Sequence, residues 1–559
     1  MKNYGKYRRS YFTAPIERPK WIEKEYIDQA PVWCSVDLRD GNQALERPMD
    51  IEQKTEFFKM LVSIGFKEIE VGFPAASDTE YAFVRSLIDG GLIPDDVTIQ
   101  VMTQAREHII KKTFASVEGA KKAIIHLMNP TSAAQREQVF KKNEDEVEKL
   151  ATDGAKAVRK FADRADSEIT LEYTPESFTA TEPEYALRVC NAVLDAWEPS
   201  EGRRAIINLP VTVELSLPHI YANQVEYICE NIKYKDFTTV SVHSHNDRGC
   251  GVADTELGLL AGAKRVEGTL FGNGERTGNA DLVTLAMNMY SHGVDPKLNF
   301  ENLPEITEIC EHLTGMAVDA RRPYSGRLVF TAFSGSHQDA IAKGMRHRKK
   351  HPDEPWAVPY LPIDPTDIGR NYADDVIRIN SQSGSGGIGY IMQSRFGYTL
   401  PKQMCIHFRN EIKSISDKKH TELKPDEMLA IFERTYLNIA SPVCLHGVHY
   451  RQENGITATV AVTDVKDGRK TEYTAEGNGR LDSVANALRD KYLGSYQVSV
   501  YEEHSLTKKS DSQAAAYICI TSDETQKSFW GVGTDNDIIN ASVKGLISAV
   551  NNKLIFEKY

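Results

Sequence analysis

Residues 239–249 read Thr239-Val240-Ser241-Val242-His243-Ser244-His245-Asn246-Asp247-Arg248-Gly249. The β-branched run Thr239–His243 predicts a strand. His243 and His245 stand at i and i+2, so they project to the same face. The polar Asn246–Gly249 segment follows at once and reads as a loop. A bare His-x-His is as often a pair of satisfied polar histidines as half of a metal site. Its place at the end of a strand, against a polar loop, favours the metal site.

Working outward, seven more apolar runs share this design. They are Val32–Val36, Glu68–Val71, Val97–Met102, Ala123–Leu127, Glu168–Tyr173, Ala205–Leu209 and Val266–Phe271. A helical pattern follows each of the eight. That count predicts a TIM (β/α)8 barrel, an α/β fold with its chemistry at the C-terminal ends of the strands. A doubly wound open sheet is the alternative. The first helix shows the grammar: Asp50 caps it, Phe57, Phe58, Leu61 and Ile64 recur on one face, and Gly65 ends it.

The whole chain has 559 residues and a net charge of −12. Length alone suggests three or four domains. The acidic balance argues against a protein that coats nucleic acid or an anionic membrane. No apolar run approaches a membrane span, and the basic, aromatic start MKNYGKYRRSYF leads into no signal core. The eight cysteines are dispersed with no CxxC pair, which reads as reduced thiols and a cytoplasmic protein.

Past residue 300 the strand–helix rhythm stops. The basic run Met345–His351 reads as a solvated loop, with a grip on nucleotide phosphates as the alternative. From about 445 new strands are expected at Ile456–Thr463, Lys470–Ala475, Gln497–Glu503, Ala515–Thr521 and Ser528–Val532, with helices after Asp482 and about Asp537. Similar turns, Gly477-x-Gly479 and Gly531-x-Gly533, precede both helices and hint at an internal duplication. The expected division is an N-terminal extension 1–30, a catalytic barrel 31–300, helical linker subdomains 301–440 and an α+β regulatory domain with an internal pseudo-repeat, 441–559.

Two further segments carry chemistry. In a closed barrel, strands one, seven and eight are neighbours, so Asp40 in Leu38-Arg39-Asp40-Gly41-Asn42-Gln43 can meet His243 and His245. A mixed N/O set suits Mg²⁺, Mn²⁺ or Zn²⁺ and leaves positions open for substrate. Arg39 places a fixed cation beside a developing oxyanion. After the eighth strand, Gly272-Asn273-Gly274-Glu275-Arg276-Thr277-Gly278-Asn279 can pass close to a ligand. This end of a barrel often binds phosphate. Asn279 is a longer-range metal contact.

These pieces resemble the α-isopropylmalate synthase family, within the acyl-CoA:2-oxoacid Claisen condensing enzymes. The match rests on Leu38-Arg39-Asp40-Gly41-x-Gln43 with Lys54 after ten intervening residues, and on His243-x-His245-Asn246-Asp247-x-Gly249-x-Gly251-x-Ala253. EVGFPAAS (70–77), EYTPES (172–177), GNGERTGN (272–279), NSQSGSGG (380–387), SQAAAY (512–517) and WGVG (530–533) extend it over nearly the whole chain.

The resemblance implies condensation of acetyl-CoA with 3-methyl-2-oxobutanoate, the first committed step of leucine synthesis. It implies a divalent metal on Asp40, His243 and His245 with Asn279 nearby, and Arg39 at the alkoxide. Glu176, His337 and Tyr372 match its catalytic groups, His126 and Thr212 its substrate contacts, and Gly272, Asn273 and Gly274 line the acetyl-CoA side. Either Glu176 or His337 takes the methyl proton. The family is expected to work as a homodimer in which His337 and Tyr372 reach the partner subunit's site, with leucine bound by the C-terminal domain as inhibitor. The rivals are homocitrate-type and citramalate-type synthases, separated by the pocket near Glu70, Met102, His126 and Thr212. An acyl-CoA lyase lacks the long C-terminal extension. A catalytically dead leucine sensor is at odds with the intact Arg39, Asp40, Glu176, His243 and His245 set.

Overall fold

The computed structural model describes residues 2–370, 385–419, 423–452, 455–489, 495–507 and 512–558. Two compact units divide it. The first holds 1–329 and 367–370; the second holds the remainder.

Eight parallel strands close the first unit into a barrel in sequence order: β1 Val32–Ser35, β2 Glu68–Gly72, β3 Thr98–Gln104, β4 Lys122–Pro130, β5 Glu168–Glu176, β6 Ala205–Val211, β7 Thr238–Ser244 and β8 Arg265–Gly268. The ring closes where Cys34 of β1 pairs with Glu267 of β8, and His243 of β7 pairs with that same Glu267. Helices α1 Ile51–Ile64, α2 Asp78–Asp89, α3 Glu107–Val117, α4 Glu144–Ala162, α5 Pro183–Trp197, α6 Pro218–Asn231, α7 Gly251–Leu260 and α8 Leu282–Ser291 follow the strands in turn. Helix α9, Leu303–Thr314, completes this unit.

The α1 boundary follows from its caps. Asp50 accepts the Gln53 N–H and Gln53 returns the bond to the Asp50 N–H. Gly65 ends the helix at φ 114°, a left-handed conformation that a side chain would strain. The buried face is the expected Phe57, Phe58, Leu61 and Ile64, each worth roughly 1.5–3 kcal/mol once removed from water.

The strands bury their outward faces too. Ile69, Ile99, Ile125, Leu171, Ile207, Val242 and Val266 are fully enclosed. The inward positions are instead polar: Glu70, Gln100, His126, Glu172, Asn208, Arg265 and Glu267 are all buried. A charged interior of this kind is tolerated only where every charge is paired, and this pairing builds the site.

In the second unit, α10 Gly335–Lys350, α11 Ser385–Phe396, α12 Lys402–Lys419 and α13 Pro425–Tyr436 precede two antiparallel three-stranded sheets. The first sheet joins β9 Val443–Gln452, β10 Ile456–Asp464 and β11 Lys470–Gly477, and α14 Arg480–Leu488 follows it. The second joins β12 Tyr496–Ser505, β13 Ala514–Ser522 and β14 Ser528–Asp535, and α15 Ile538–Lys558 follows it. The duplication is therefore a βββα unit used twice. Val460, Val484, Leu488, Ile518, Leu546 and Val550 join the copies in one core.

Three expectations need correction. The basic run at 345–350 is the exposed end of helix α10, not a loop. Lys and Arg are good helix formers, and cations complement the C-terminal dipole. Strand β9 is not among the expected strands, because a bulge at 445–447 shifts its core-facing positions from Val443 and Leu445 to Val448 and Tyr450 and breaks the alternation. Gly531 and Gly533 lie within strand β14 rather than in a turn. A Cβ at Gly531 would sit 2.1 Å from the Ala549 amide nitrogen, so these glycines let α15 pack directly on the strand.

No described helix is long and apolar enough to cross a membrane. All eight cysteines are free thiols.

Candidate active site

Asp40 lies on a wide helical turn, Asp37–Gly41, directly after β1. His243 stands in β7, and His245 just past it. The barrel ring brings them together as expected. Asp40 Oδ2 is 3.5 Å from His243 Nε2 and 3.8 Å from His245 Nε2. These three offer ligand atoms within 4.8 Å of one another, the one such cluster of His, Cys, Asp and Glu among the described residues.

Asn279 joins them through the backbone, pairing with His245 in an isolated bridge, and its Nδ2 donates to Asp40 Oδ2 at 2.9 Å. Two atoms here are buried without a hydrogen-bond partner among the described residues, His245 Nδ1 and Asn279 Oδ1. An Asp, two imidazoles and an amide oxygen form a donor set that fits a divalent ion.

The loop after β8 is shaped to hold Asn279. A Cβ at Gly274 would fall 2.2 Å from Asn279 Nδ2, and one at Gly278 1.9 Å from the Gly272 carbonyl. Asn273 ties the loop to the first strand's turn, donating from Nδ2 to the Gly41 carbonyl at 3.2 Å.

Beneath the cluster runs a chain of buried charges. His243 Nδ1 pairs with Glu267 at 2.8 Å, which turns Nε2 toward Asp40. Glu267 also accepts from Gln100, Asn208 and Arg265. Arg39 donates from Nε to Glu70 at 2.6 Å and from a terminal nitrogen to Asp40 at 3.0 Å. The other Glu70 oxygen meets His126 Nδ1 at 2.7 Å, and His126 Nε2 meets Thr174 at 2.8 Å. Arg265 also pairs with Glu172 at 3.3 Å.

These partners set the protonation states. Burial raises the Asp40 carboxyl, but Arg39 and His243 outweigh it and hold the group well below the carboxylate range. Burial lowers His243, yet hydrogen bonds with Asp40 and Glu267 lift it to about 9. Burial and the neighbouring His243 charge push His245 down to about 4. Burial and the Glu267 charge raise Glu172 far above the usual range. Glu176, which ends β5, is also raised, by burial first, against the pull of Arg39.

The remaining expected residues fall as follows. Thr212 lies just past β6, its hydroxyl accepting the Ser177 N–H at 2.9 Å. His126 sits inside the barrel, locked between Glu70 and Thr174. His337 belongs to the second unit, on α10, where its exposed ring stacks on Tyr360 at 4.0 Å. Tyr372 and residues 380–384 of the 380–387 motif lie outside the described residues. Glu267, Glu172 and Arg265 are absent from the expected set. The available signal was a charged residue inside each short buried strand.

Three family models match the chain. An HMGL-like model covers residues 30–310. A model described as alpha-isopropylmalate synthase, post-catalytic domain-like, covers 327–393. A LeuA allosteric (dimerisation) domain covers 422–554. A 2-isopropylmalate synthase of Helicobacter hepaticus is 56% identical over 98% of this chain and 99% of its own length. One of Desulfitobacterium hafniense is 54% identical over 99% of both. One of Clostridium acetobutylicum is 50% identical over 98% of this chain and 99% of its own length.

Proposed function

Since the chain belongs to the 2-isopropylmalate synthase family, we propose that it joins acetyl-CoA to 3-methyl-2-oxobutanoate and water, giving 2-isopropylmalate and CoA. It is an acyltransferase of leucine biosynthesis. Homocitrate-type or citramalate-type activity and a dead sensor find no support in its relatives, which share one name over the full length.

Asp40, His243 and His245 would hold a divalent ion, Mg²⁺ before Mn²⁺ or Zn²⁺, with Asn279 Oδ1 beside it. Bound there, such an ion supplies Lewis acidity to the ketone of a 2-oxo acid. The rest falls to the protein's own groups. Arg39, fixed by Glu70 and Asp40, stabilises the alkoxide as the ketone is attacked. Glu176 is the methyl base: a carboxylate with a raised pKa draws a proton more strongly than an ordinary one. His126 and Thr212 orient the oxo acid. Gly272, Asn273 and Gly274 face acetyl-CoA. His337 and Tyr372 serve the site of a partner subunit in a homodimer, a reading supported by the family resemblance and the matched dimerisation domain. The same matched domain supports leucine as feedback inhibitor. Eight free thiols suit a cytoplasmic enzyme.

The observation that carries this reading is the Asp40–His243–His245 cluster beside Arg39 at the C-terminal mouth of the barrel. Thiol release from acetyl-CoA, measured before and after chelation and with Mg²⁺ restored, tests it. Release that chelation abolishes and Mg²⁺ restores supports the reading. Release indifferent to chelation refutes the metal role.

A further inference from the structure

The chain of charges around the metal cluster leaves one nearby cation unused. Arg322 follows α9 in the first unit, and its guanidinium has no hydrogen bond or ion pair among the described residues; its Nε is buried without a partner. It lines a cavity of about 210 Å³ together with Gly272, Asn273, Gly274 and Thr277 of the loop after β8. Arg322 lies against this loop: a Cβ at Gly272, which sits at φ 71°, would stand in ordinary contact with an Arg322 terminal nitrogen at 3.6 Å.

The loop offers donors of its own. From Asn273 to Thr277, five consecutive backbone amides have no acceptor among the described residues. Asn273, Gly274 and Thr277 share the cavity with Arg322, and amides together with a guanidinium suit an anion with several oxygens. In eight-stranded barrels the loops after strands seven and eight are a recurrent phosphate site.

The other charges nearby are accounted for. Arg276 is engaged by Asp247 at 2.8 Å. Asp37 also lines the cavity, but its carboxyl accepts the Leu270 N–H and the Ser35 hydroxyl, and burial lifts it to about 7. Asp281 accepts from Val283 and Thr284 at the start of α8; burial raises its carboxyl, and the Arg322 charge it faces pulls it back down, without an ion pair between them. Phe57, Leu270 and Met316 give the cavity an apolar side.

We propose that Arg322 and the 273–277 amides form the subsite for a phosphate group of the acyl-CoA co-substrate. This rests on the acetyl-CoA reading above and adds the residues that hold its nucleotide end. Arg322 is a binding residue there, remote from the reacting carbons.

The test compares wild type with Arg322→Met and Arg322→Lys. Steady-state kinetics use acetyl-CoA and the phosphate-free acetyl-pantetheine, and inorganic pyrophosphate serves as a competing probe. Arg322→Met should raise KM for acetyl-CoA about 10- to 100-fold, with kcat and the KM for the oxo acid nearly unchanged. It should leave acetyl-pantetheine kinetics untouched and remove competition by pyrophosphate. Arg322→Lys should recover part of the loss. An unchanged KM for acetyl-CoA in a folded Arg322→Met protein, with pyrophosphate still competing, overturns the proposal while the acetyl-CoA reading stands. A wild type that turns over neither thioester overturns that reading. Pyrophosphate binding by calorimetry, lost in Arg322→Met or unaffected by it, then decides the anion site separately.

Discussion

His243 gives its Nδ1 to Glu267 across 2.8 Å and so presents Nε2 to Asp40. The carboxylate fixes the tautomer and the ring plane before any ion arrives. Glu267 is itself held by Gln100, Asn208 and Arg265, so the histidine inherits the rigidity of the barrel wall.

Removing that support should be felt at the metal. Glu267→Gln keeps the size of the side chain but weakens its hold on His243. Affinity for Mn²⁺, read by calorimetry, is expected to fall about 10- to 100-fold. His243→Ala and Asp40→Ala should fall further and lose turnover. Wild-type affinity in all three variants would contradict the site.

Glu176 should govern the acid side of the rate profile. Its carboxyl is raised by burial, so the base is protonated, and the reaction slowed, at a pH above the ordinary carboxylate range. Glu176→Gln should lower kcat by about 10²- to 10⁴-fold and remove that acid limb. Metal binding and thermal stability should stay close to wild type. A retained limb would move the base elsewhere.

Much of this site was legible because its ligands stand at strand ends. His243-x-His245 announces itself by period two, and ring closure then brings Asp40 to it. Glu267, Glu172 and Arg265 were hidden for the opposite reason. They sit inside strands whose apolar, outward residues carry the pattern, and only the closed barrel reveals that the inward face is ionic. In the second unit, strand β9 escaped because a bulge between Leu445 and Gly447 moves its core face from Val443 and Leu445 to Val448 and Tyr450, which breaks the period of two. The 345–350 run was misread because charge density does not distinguish a solvated helix end from a loop. Gly531 and Gly533 imitate a turn signal, while their actual use is contact between a helix and a strand.

A buried carboxyl pair beside α7 links stability to pH. Burial, together with the charge and hydrogen bond of Glu214, lifts Asp254 to about 8, with Arg248 pulling it down. The folded protein therefore keeps a proton that the unfolded chain releases near pH 3.9. This contribution is complete below about pH 4 and is lost as pH rises toward 8. Asp254→Asn keeps a donor for Glu214 and cannot ionise. Thermal melts should show a gain of about 1–2 kcal/mol at pH 8.5 and almost none at pH 4. Equal effects at both pH values would exclude the shared proton.

Gly531 offers a way to disturb the C-terminal unit alone. Gly531→Val drives a side chain toward the Ala549 backbone, 2.1 Å from the first added carbon. A cost of about 1–3 kcal/mol or more is expected in that unit. Melts followed through Trp530 should report it, and inhibition by leucine should weaken while turnover without leucine persists. Leucine inhibition identical to wild type would remove the C-terminal unit from regulation.

The most direct measurement is CoA release from acetyl-CoA with 3-methyl-2-oxobutanoate, 2-oxoglutarate or pyruvate, each with Mg²⁺ and with or without leucine. The account predicts preference for 3-methyl-2-oxobutanoate, dependence on the ion and suppression by leucine. Preference for either other acid, or no CoA release from a protein whose Asp40–His243–His245 site is loaded with metal, would contradict it.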